Sequence, residues 1–367
     1  MRTITGTYGN ISYPDAICFA FNPMLIKVTG NSYTKMTVTV ATSAQGTGYT
    51  ETRYPNSAGD CWMDMESYAQ GFFDKSNWGN LSPSAAQLTG LGMTVYYTVK
   101  LYSGNNVETH NLNSYVIWGS MVSGETYNGY RRLKWFTNFP FSIGLYANQS
   151  GRVALCNDGS PTTTKQLNSA GVWNVPLTSY AANKFITIQD YAGATFTPTT
   201  FDDSFDLTFS QLASQRGQVV MRVDLDKQTN EGIYLRWIDR HGFYVYYLFK
   251  RGDEQRKVET GGNFIRENMM QYDDVYGYSS GNGRQQWMDR NDVQPLCVPL
   301  VDKETWDFLF GVCCSPIVDM FVGYNSSNIP KWKPVRVQAG TYTRIEKDHL
   351  QDFICNLLMP KIEYQHT

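Results

Sequence analysis

Residues 231–252, EGIYLRWIDRHGFYVYYLFKRG, constrain the fold more tightly than any other stretch of the chain. Ile233, Leu235 and Trp237 alternate with Tyr234, Arg236 and Ile238; beyond a short polar break, Phe243, Val245, Tyr247 and Phe249 alternate with Tyr244, Tyr246 and Leu248. A period of two places successive side chains on opposite faces of a strand, so the run predicts two strands. The break, Asp239-Arg240-His241-Gly242, has an acceptor side chain where a type I turn uses one and a glycine where the backbone passes through positive φ before re-entering a strand. The expectation is a long antiparallel hairpin over 233–249, buried on at least one face. Apolar and aromatic residues on both faces point to cover from both sides, as in the central hairpin of a sandwich or a subunit contact.

The rest of the composition agrees. Charged residues are 17% of the chain, against roughly a quarter in an ordinary domain, and aromatics reach 14% with 25 tyrosines. Such residues suit pleated, half-buried surfaces better than solvated helices. The expected fold class is mainly β: multidomain antiparallel β-sandwiches or barrels with a few short helices. A chain of 367 residues exceeds one ordinary core of about 100–200 residues. Three divisions are expected: an N-terminal β-sandwich over 1–130, a small β unit over 131–204, and a C-terminal β domain over 205–367 that carries the hairpin and a helix at 302–314.

Within the first division, Ile17 to Phe21, Leu25 to Val28, Met36 to Val40, Met93 to Leu101 and Tyr115 to Trp118 read as strands. Glu51 to Asp60 reads as polar turn, Asp64 as the cap of a short helix, and Asn77 to Leu91 as a loop. In the second, strands are expected from Arg131 to Phe136, through Ile143 and Leu145, at Val153 to Leu155, at Trp173 and Val175, and at Phe185 to Ile188, with turn chemistry over Asn157 to Ser169. In the third, Val219 to Leu225 precedes the hairpin, and Asn263 to Asn291 reads as a long exposed excursion. Asp302 caps a helix with Trp306, Leu309, Phe310 and Cys313 on one face. Strands follow at Ile317 to Val322, Val335 to Val337 and Phe353 to Met359.

The chemistry-bearing motifs each fail on a needed residue. The net charge of −2 and the short basic clusters Arg131-Arg132-Lys134 and Lys331-Lys333-Arg336 give no field for nucleic acid, and they read as solvated edges. No run approaches the roughly 18 apolar residues of a membrane span, and the N-terminus MRTITGTYGNISYPD lacks an apolar h-region. The expectation is a chain made in the cytosol, and either kept there or exported without a signal. The seven cysteines are odd in number and scattered, which favours buried free thiols. With no Cys-x-x-Cys and four distant histidines, no metal site is assigned. There is no Gly-x-x-x-x-Gly-Lys-Ser/Thr and no His-Glu-x-x-His. Asp224 to Thr229 opens like a calcium loop but places Gln228 and Thr229 where a ligand and a glycine belong. Asp202-Asp203 and Asp273-Asp274 are adjacent, so on a strand their carboxylates face apart, and His241 sits in the turn without a nucleophile in frame. No catalytic, cofactor-binding or metal residue is assigned. Trp237, Tyr244 and Tyr246 are the candidate interface or glycan-stacking aromatics, with core packing as the other reading.

Cys18-Phe19-Ala20-Phe21-Asn22-Pro23, Arg131 to Phe136 with Phe139-Pro140-Phe141, and Tyr234 to Asp239 with Gly242-Phe243-Tyr244 together resemble structural proteins of phages and prophages of Bacteroides-type gut bacteria. The resemblance implies a tail-tip or baseplate component, similar in role to the distal tail protein, which pairs a ring-forming N-terminal β domain with an outward-facing C-terminal one. It implies a virion protein assembled in the bacterial host cytoplasm. Its partners are then other copies of itself in a ring-like homo-oligomer and other tail proteins, with a host surface glycan as a further partner. It carries no functional residue over and implies no enzyme. A carbohydrate-binding receptor-recognition or adhesin module is the competing reading, and a glycan-active hydrolase ranks behind it.

Overall fold

The computed structural model describes residues 1–30, 32–43, 45–73, 86–121, 132–147, 150–157, 160–177, 185–191, 200–201, 207–208, 219–227, 231–264, 270–273, 277–280, 284–346, 349–359 and 362–366. Strands dominate, with two helices among these residues. Two compact units emerge: residues 1–230, 238–247 and 323–331 make the first, and 231–237, 248–322 and 332–367 the second. This corrects the threefold division, because strand pairing crosses both expected boundaries. Gln87 pairs with Trp173 across residue 130, and Arg132 to Phe136 lies parallel to Arg222 to Asp226 across residue 204.

The first unit opens with β1 (Arg2–Thr5), β2 (Asn10–Tyr13), β3 (Ile17–Phe19), β4 (Leu25–Thr29), β5 (Lys35–Thr42), β6 (Gln45–Arg53) and β7 (Asp60–Asp64). Helix α1 (Glu66–Gly71), a short β8 (Ala86–Gln87) and the pair β9 (Gly92–Ser103) and β10 (Asn106–Ile117) follow. Two sheets result, β1-β2-β4-β7 and β3-β10-β9-β5-β6. Alternation in β5 drives Met36, Val38 and Val40 inward. Together with Ile11, Ile26 and Val28 of the facing sheet they have no exposed surface, which is the core of a sandwich. The expected helix cap is partly right: the Asp64 carboxylate accepts from the Glu66 amide at 3.0 Å, but it also accepts from Met24, and Met65 occupies the cap position. Glu51 to Arg53, expected as turn, completes β6.

Glu108 of β10 ties the β1–β2 turn to the sheet, accepting from the amides of Thr7 at 2.7 Å and Tyr8 at 2.9 Å, with His110 Nε2 3.1 Å away. Burial opposes its charge, but the two amides and His110 outweigh burial and hold its pKa below the ordinary glutamate value.

The unit continues with β11 (Arg132–Phe136), β12 (Phe141–Ala147), β13 (Gly151–Asn157), β14 (Ser160–Leu167), β15 (Gly171–Leu177), β16 (Phe185–Tyr191), β17 (Thr200–Phe201), β18 (Leu207–Thr208) and β19 (Val219–Asp226). They add sheets β11-β19-β16-β13-β14 and β12-β15-β8. Strand β14 replaces the turn expected over Asn157 to Ser169, because its backbone pairs with β13 from Gly151↔Leu167 to Asn157↔Ser160. Residues 74–85, 131 and 202–203, on which parts of the expected loop, basic cluster and acidic pair fall, lie outside the described residues.

The hairpin forms as expected, from β20 (Ile233–Ile238) and β21 (Tyr244–Arg251). From Ile233 to Phe249 every residue but Arg240 is buried, so both faces are covered. The Asp239 carboxylate accepts from the amides of His241 and Phe243 at 3.1 and 2.8 Å, and Gly242 adopts φ +89°. Within the first unit, Ser120 donates to the Arg240 carbonyl at 2.5 Å. A Cβ on Gly119 would lie 2.7 Å from that oxygen, so the close approach requires glycine.

The chain continues with β22 (Gln255–Thr260), β23 (Asn263–Phe264), β24 (Met270–Asp273), β25 (Gly277–Ser280), β26 (Arg284–Gln285), β27 (Trp287–Val301), α2 (Lys303–Cys314), β28 (Val318–Tyr324), β29 (Pro330–Val337), β30 (Gln351–Leu358) and β31 (Ile362–His366). The excursion expected to Asn291 therefore ends earlier, since Trp287 already belongs to β27. The order β21-β20-β28-β29-β30-β27 returns to β21 through Lys250↔Cys297 and Arg251↔Leu296, closing a barrel. Closure leaves no open edge among these six strands. Helix α2 packs on β30. The Asp302 carboxylate caps it by accepting from the Thr305 amide at 2.8 Å, and Trp306, Leu309 and Val312 are its buried stripe. Trp306 stands edge-on to Phe353 at 5.6 Å, Phe353 meets Phe249 at 6.3 Å, and Trp237 meets Phe249 and Phe308 at 6.4 and 5.4 Å.

Truncation of Trp306, 6% exposed, to alanine should cost roughly 3–5 kcal/mol in denaturant unfolding; a loss under about 1 kcal/mol would refute its place in the core. Glu108, with its lowered folded-state pKa, contributes stability above the unfolded-chain value of about 4.3 that is lost as pH falls through the folded value. The thermal midpoint of Glu108→Gln should therefore lie below that of the parent near neutral pH and converge on it in acid. A gap that persists in acid would refute this account.

Candidate functional site

The three aromatics singled out in the sequence are not surface residues. Trp237, Tyr244 and Tyr246 are 0%, 2% and 3% exposed, so they present no ring face to a sugar or to a second subunit. Apolar residues on both strand faces pointed to cover from both sides, and that cover is present over all of 233–249 but Arg240. The Tyr246 hydroxyl meets that of Ser142, and its ring lies 5.4 Å from Phe141; these are core contacts. His241 is likewise buried, 3.5 Å from the Asp239 carboxylate. Asp226 ends its strand in an ion pair with Lys134 at 2.7 Å, and no group able to hold a metal occurs among the described residues. The cysteines depart in part from the expectation: Cys18, Cys61 and Cys355 are buried thiols, Cys297 and Cys313 are half-buried, and Cys314 is exposed.

The residues that do face solvent form a patch on the second unit which the sequence reading missed. In the β27–β30 ladder Val298 faces Phe353 and Val301 faces Gln351, so Pro299 and Leu300 stand against the single residue Asp352 in a β-bulge. Leu300 takes φ +51° there, and its amide donates to the Asp352 carboxylate at 2.9 Å. Its side chain is 68% exposed; on β30, Ile354 is 57% exposed and the adjoining Leu350 is 54% exposed. Leu350, Asp352 and Ile354 share the outward face because their spacing is two. Opposite Ile354, the Cys297 thiol is pushed up by burial and then by Asp352, with Lys250 opposing. Pro299 was the available signal, because proline inside a strand marks a bulge or an edge.

A cleft of about 580 Å³ lies on the same unit. Val293, Val335 and Leu358 line it together with Lys257, Glu259 and Arg336. Its charges are largely committed: Lys257 is 2.8 Å from Glu259, Asn291 donates to Glu259 at 3.0 Å, and Asp292 pairs with Arg290 at 2.6 Å. Such a rim is a mixed polar surface and gathers no field of one sign. Elsewhere, Trp62 on β7 of the first unit is 57% exposed. It stands opposite Lys27, which pairs with Asp60 at 3.5 Å. No described helix is long and apolar enough to cross a membrane.

In comparison with known proteins, no family model matches the chain and no curated protein matches its sequence.

A left-handed backbone costs a leucine about 1–2 kcal/mol, partly offset by the chain entropy that a glycine would add to the unfolded state, about 0.4–1 kcal/mol. Leu300→Gly should therefore leave the stability of the isolated chain unchanged or raise it by up to about 1.6 kcal/mol in guanidinium unfolding. A clear loss would show that the leucine is held for the chain's own packing.

Proposed function

We propose that this chain is a non-catalytic structural subunit of a phage particle, a tail-tip or baseplate component similar in role to a distal tail protein. It works as a symmetric oligomer assembled in the bacterial host cytoplasm. The observation that carries this reading is the Leu300 patch. A leucine held in a left-handed conformation on an exposed bulge, beside two further exposed aliphatic side chains, costs an isolated chain free energy and returns none. Burial against a neighbouring subunit would return roughly 1.5–3 kcal/mol for each aliphatic side chain covered. Closed symmetry is the usual way for repeated copies to cover such surfaces without open-ended growth. The mainly β architecture with a closed barrel suits a particle part, and the committed charges of the cleft favour a structural over a hydrolytic role.

The test is to locate the chain in intact particles by electron microscopy and count its copies about the tail axis. Leu300→Asp combined with Ile354→Asp should leave the fold intact by circular dichroism and block incorporation. Absence of the chain from particles would overturn the assignment, and normal incorporation of the double variant would remove the patch as its basis.

A receptor-recognition role has one observation in its favour, the exposed indole of Trp62 beside Lys27 and Asp60. Indole faces flanked by hydrogen-bonding groups stack on sugar rings. Under that reading, Trp62→Ala abolishes binding to host surface glycan while leaving particle assembly untouched.

A further inference from the structure

The cleft and the Leu300 bulge are the two ends of one strip on the outer side of the second unit. On β30 the outward residues are Asp352, Ile354, Asn356 and Leu358, alternating with the buried Phe353, Cys355 and Leu357. On β27 Cys297 lies opposite Ile354, Pro295 opposite Asn356 and Val293 opposite Leu358, and such cross-strand partners share a face. The exposed Leu300 stands at the Asp352 end, while Val293 and Leu358 line the cleft at the other. From Asp352 to Leu358 is about 20 Å of strand. The strip is mostly apolar, and longer than one small molecule covers.

At the cleft end the charges do not cancel. Glu259 is met by Lys257 at 2.8 Å and by the Asn291 side chain at 3.0 Å, and Asp292 accepts two hydrogen bonds of 2.6 Å from Arg290. Arg336, directly opposite Leu358 on β29 and exposed, has neither an ion pair nor a hydrogen bond among the described residues. One positive charge is left over. Two residues on, Gln338 continues the ladder by donating its amide to the Asn356 carbonyl at 2.8 Å, so its side chain falls on the same face as that of Arg336. The Gln338 side-chain oxygen accepts from Asn356 Nδ2 at 3.2 Å, which leaves the amide nitrogen as a donor. A guanidinium and an amide donor above a floor of Val293, Val335 and Leu358 suit a carboxylate carried on an apolar body.

We propose that the strip is the track of one extended, mostly apolar peptide segment of a neighbouring polypeptide, which sets an acidic side chain against Arg336 and Gln338 and aliphatic side chains against Ile354 and Leu300. At roughly 3.3–3.6 Å per residue, six extended residues span it. Asp352 at the bulge end repels a carboxylate, so the segment lies one way round. The inference rests on the reading that a neighbouring subunit covers the Leu300 patch, and it adds the chemistry that the neighbour presents.

The test titrates the full-length chain, by calorimetry, with end-capped synthetic hexapeptides of alternating valine and serine that carry one glutamate at the first or the last position. Twins with glutamine in its place are the controls. One of the glutamate peptides should bind roughly tenfold more tightly than its twin, the margin of a charge-assisted hydrogen bond. Arg336→Gln should remove that margin and leave the glutamine peptide's affinity unchanged, whereas Leu300→Asp should weaken both peptides alike. Both positions are exposed, and circular dichroism checks that each variant keeps its fold. Equal binding of the twins, or a margin that survives Arg336→Gln, would overturn the proposal while leaving a neighbour on the Leu300 patch, which the copy count in particles decides separately. Binding of no peptide at millimolar concentration would also overturn it. So would hexanoate that binds as tightly as the glutamate peptide, since the cleft would then be a small-molecule pocket.

Discussion

Burial of the 233–249 hairpin on both faces is the constraint from which much of the structure follows. A strand pair with no solvent face must find a partner for each polar group it carries, since an unpaired buried charge costs several kcal/mol. Arg236 meets this demand with Asp319, its Nε and a terminal nitrogen 2.9 and 2.8 Å from one carboxylate oxygen, while the guanidinium lies 4.4 Å over the ring of Trp332. Arg236 and Asp319 are also direct cross-strand partners in the β20–β28 register. A slip of one residue would strand both charges and turn each side chain to the opposite face, so the pair fixes register as much as it adds stability. Asp239 solves the same problem at the turn by capping two amides of its own loop. Gly119 and Gly242 then give the backbone room for close approach and positive φ.

What was legible in the sequence depended on where each strand sits. Strands with one buried face wrote their pattern plainly, as in Met36, Val38 and Val40, or in Phe353, Cys355 and Leu357 facing inward from β30. The hairpin and the Asp302-capped helix were legible for the same reason: local alternation or a stripe agreed with local turn chemistry. Strands β1 and β14 were not, because Arg-Thr-Ile-Thr and Ser-Pro-Thr-Thr-Thr-Lys-Gln-Leu offer few apolar residues, and their partner strands hold them by backbone bonds. The first half of β10, Val107 to Asn113, was missed likewise, its mostly polar side chains set opposite Tyr102 to Tyr96 of β9. Domain limits were illegible because the units are not contiguous in the chain.

The candidate site was less legible than the fold, and the reason is physical. Sequence marks aromatic residues as able to stack, but only coverage decides whether a ring is free, and coverage comes from elements far away in the chain. Trp237 and Trp62 have the same side chain; one is enclosed by Phe249 and Phe308 and the other stands on an outer face beside Lys27. Leu300 is the opposite case, an ordinary residue made unusual by its backbone. Only the pairing of β27 with β30 reveals two residues facing one.

The period of two also separates the two properties that meet on β30. Asp352 and Ile354 face outward with the Leu300 bulge, whereas Phe353 and Cys355 face inward against α2. Neighbours in sequence thus lie on opposite sides of the sheet, and a change at Ile354 alters the patch without entering the space that Phe353 and Cys355 fill. The strand is held from within by the contact of Phe353 with Trp306, and it presents the exposed side chains on its other side. A rigid strand would lose less entropy if a partner covered it, and α2 packed beneath β30 gives the outer face that rigidity.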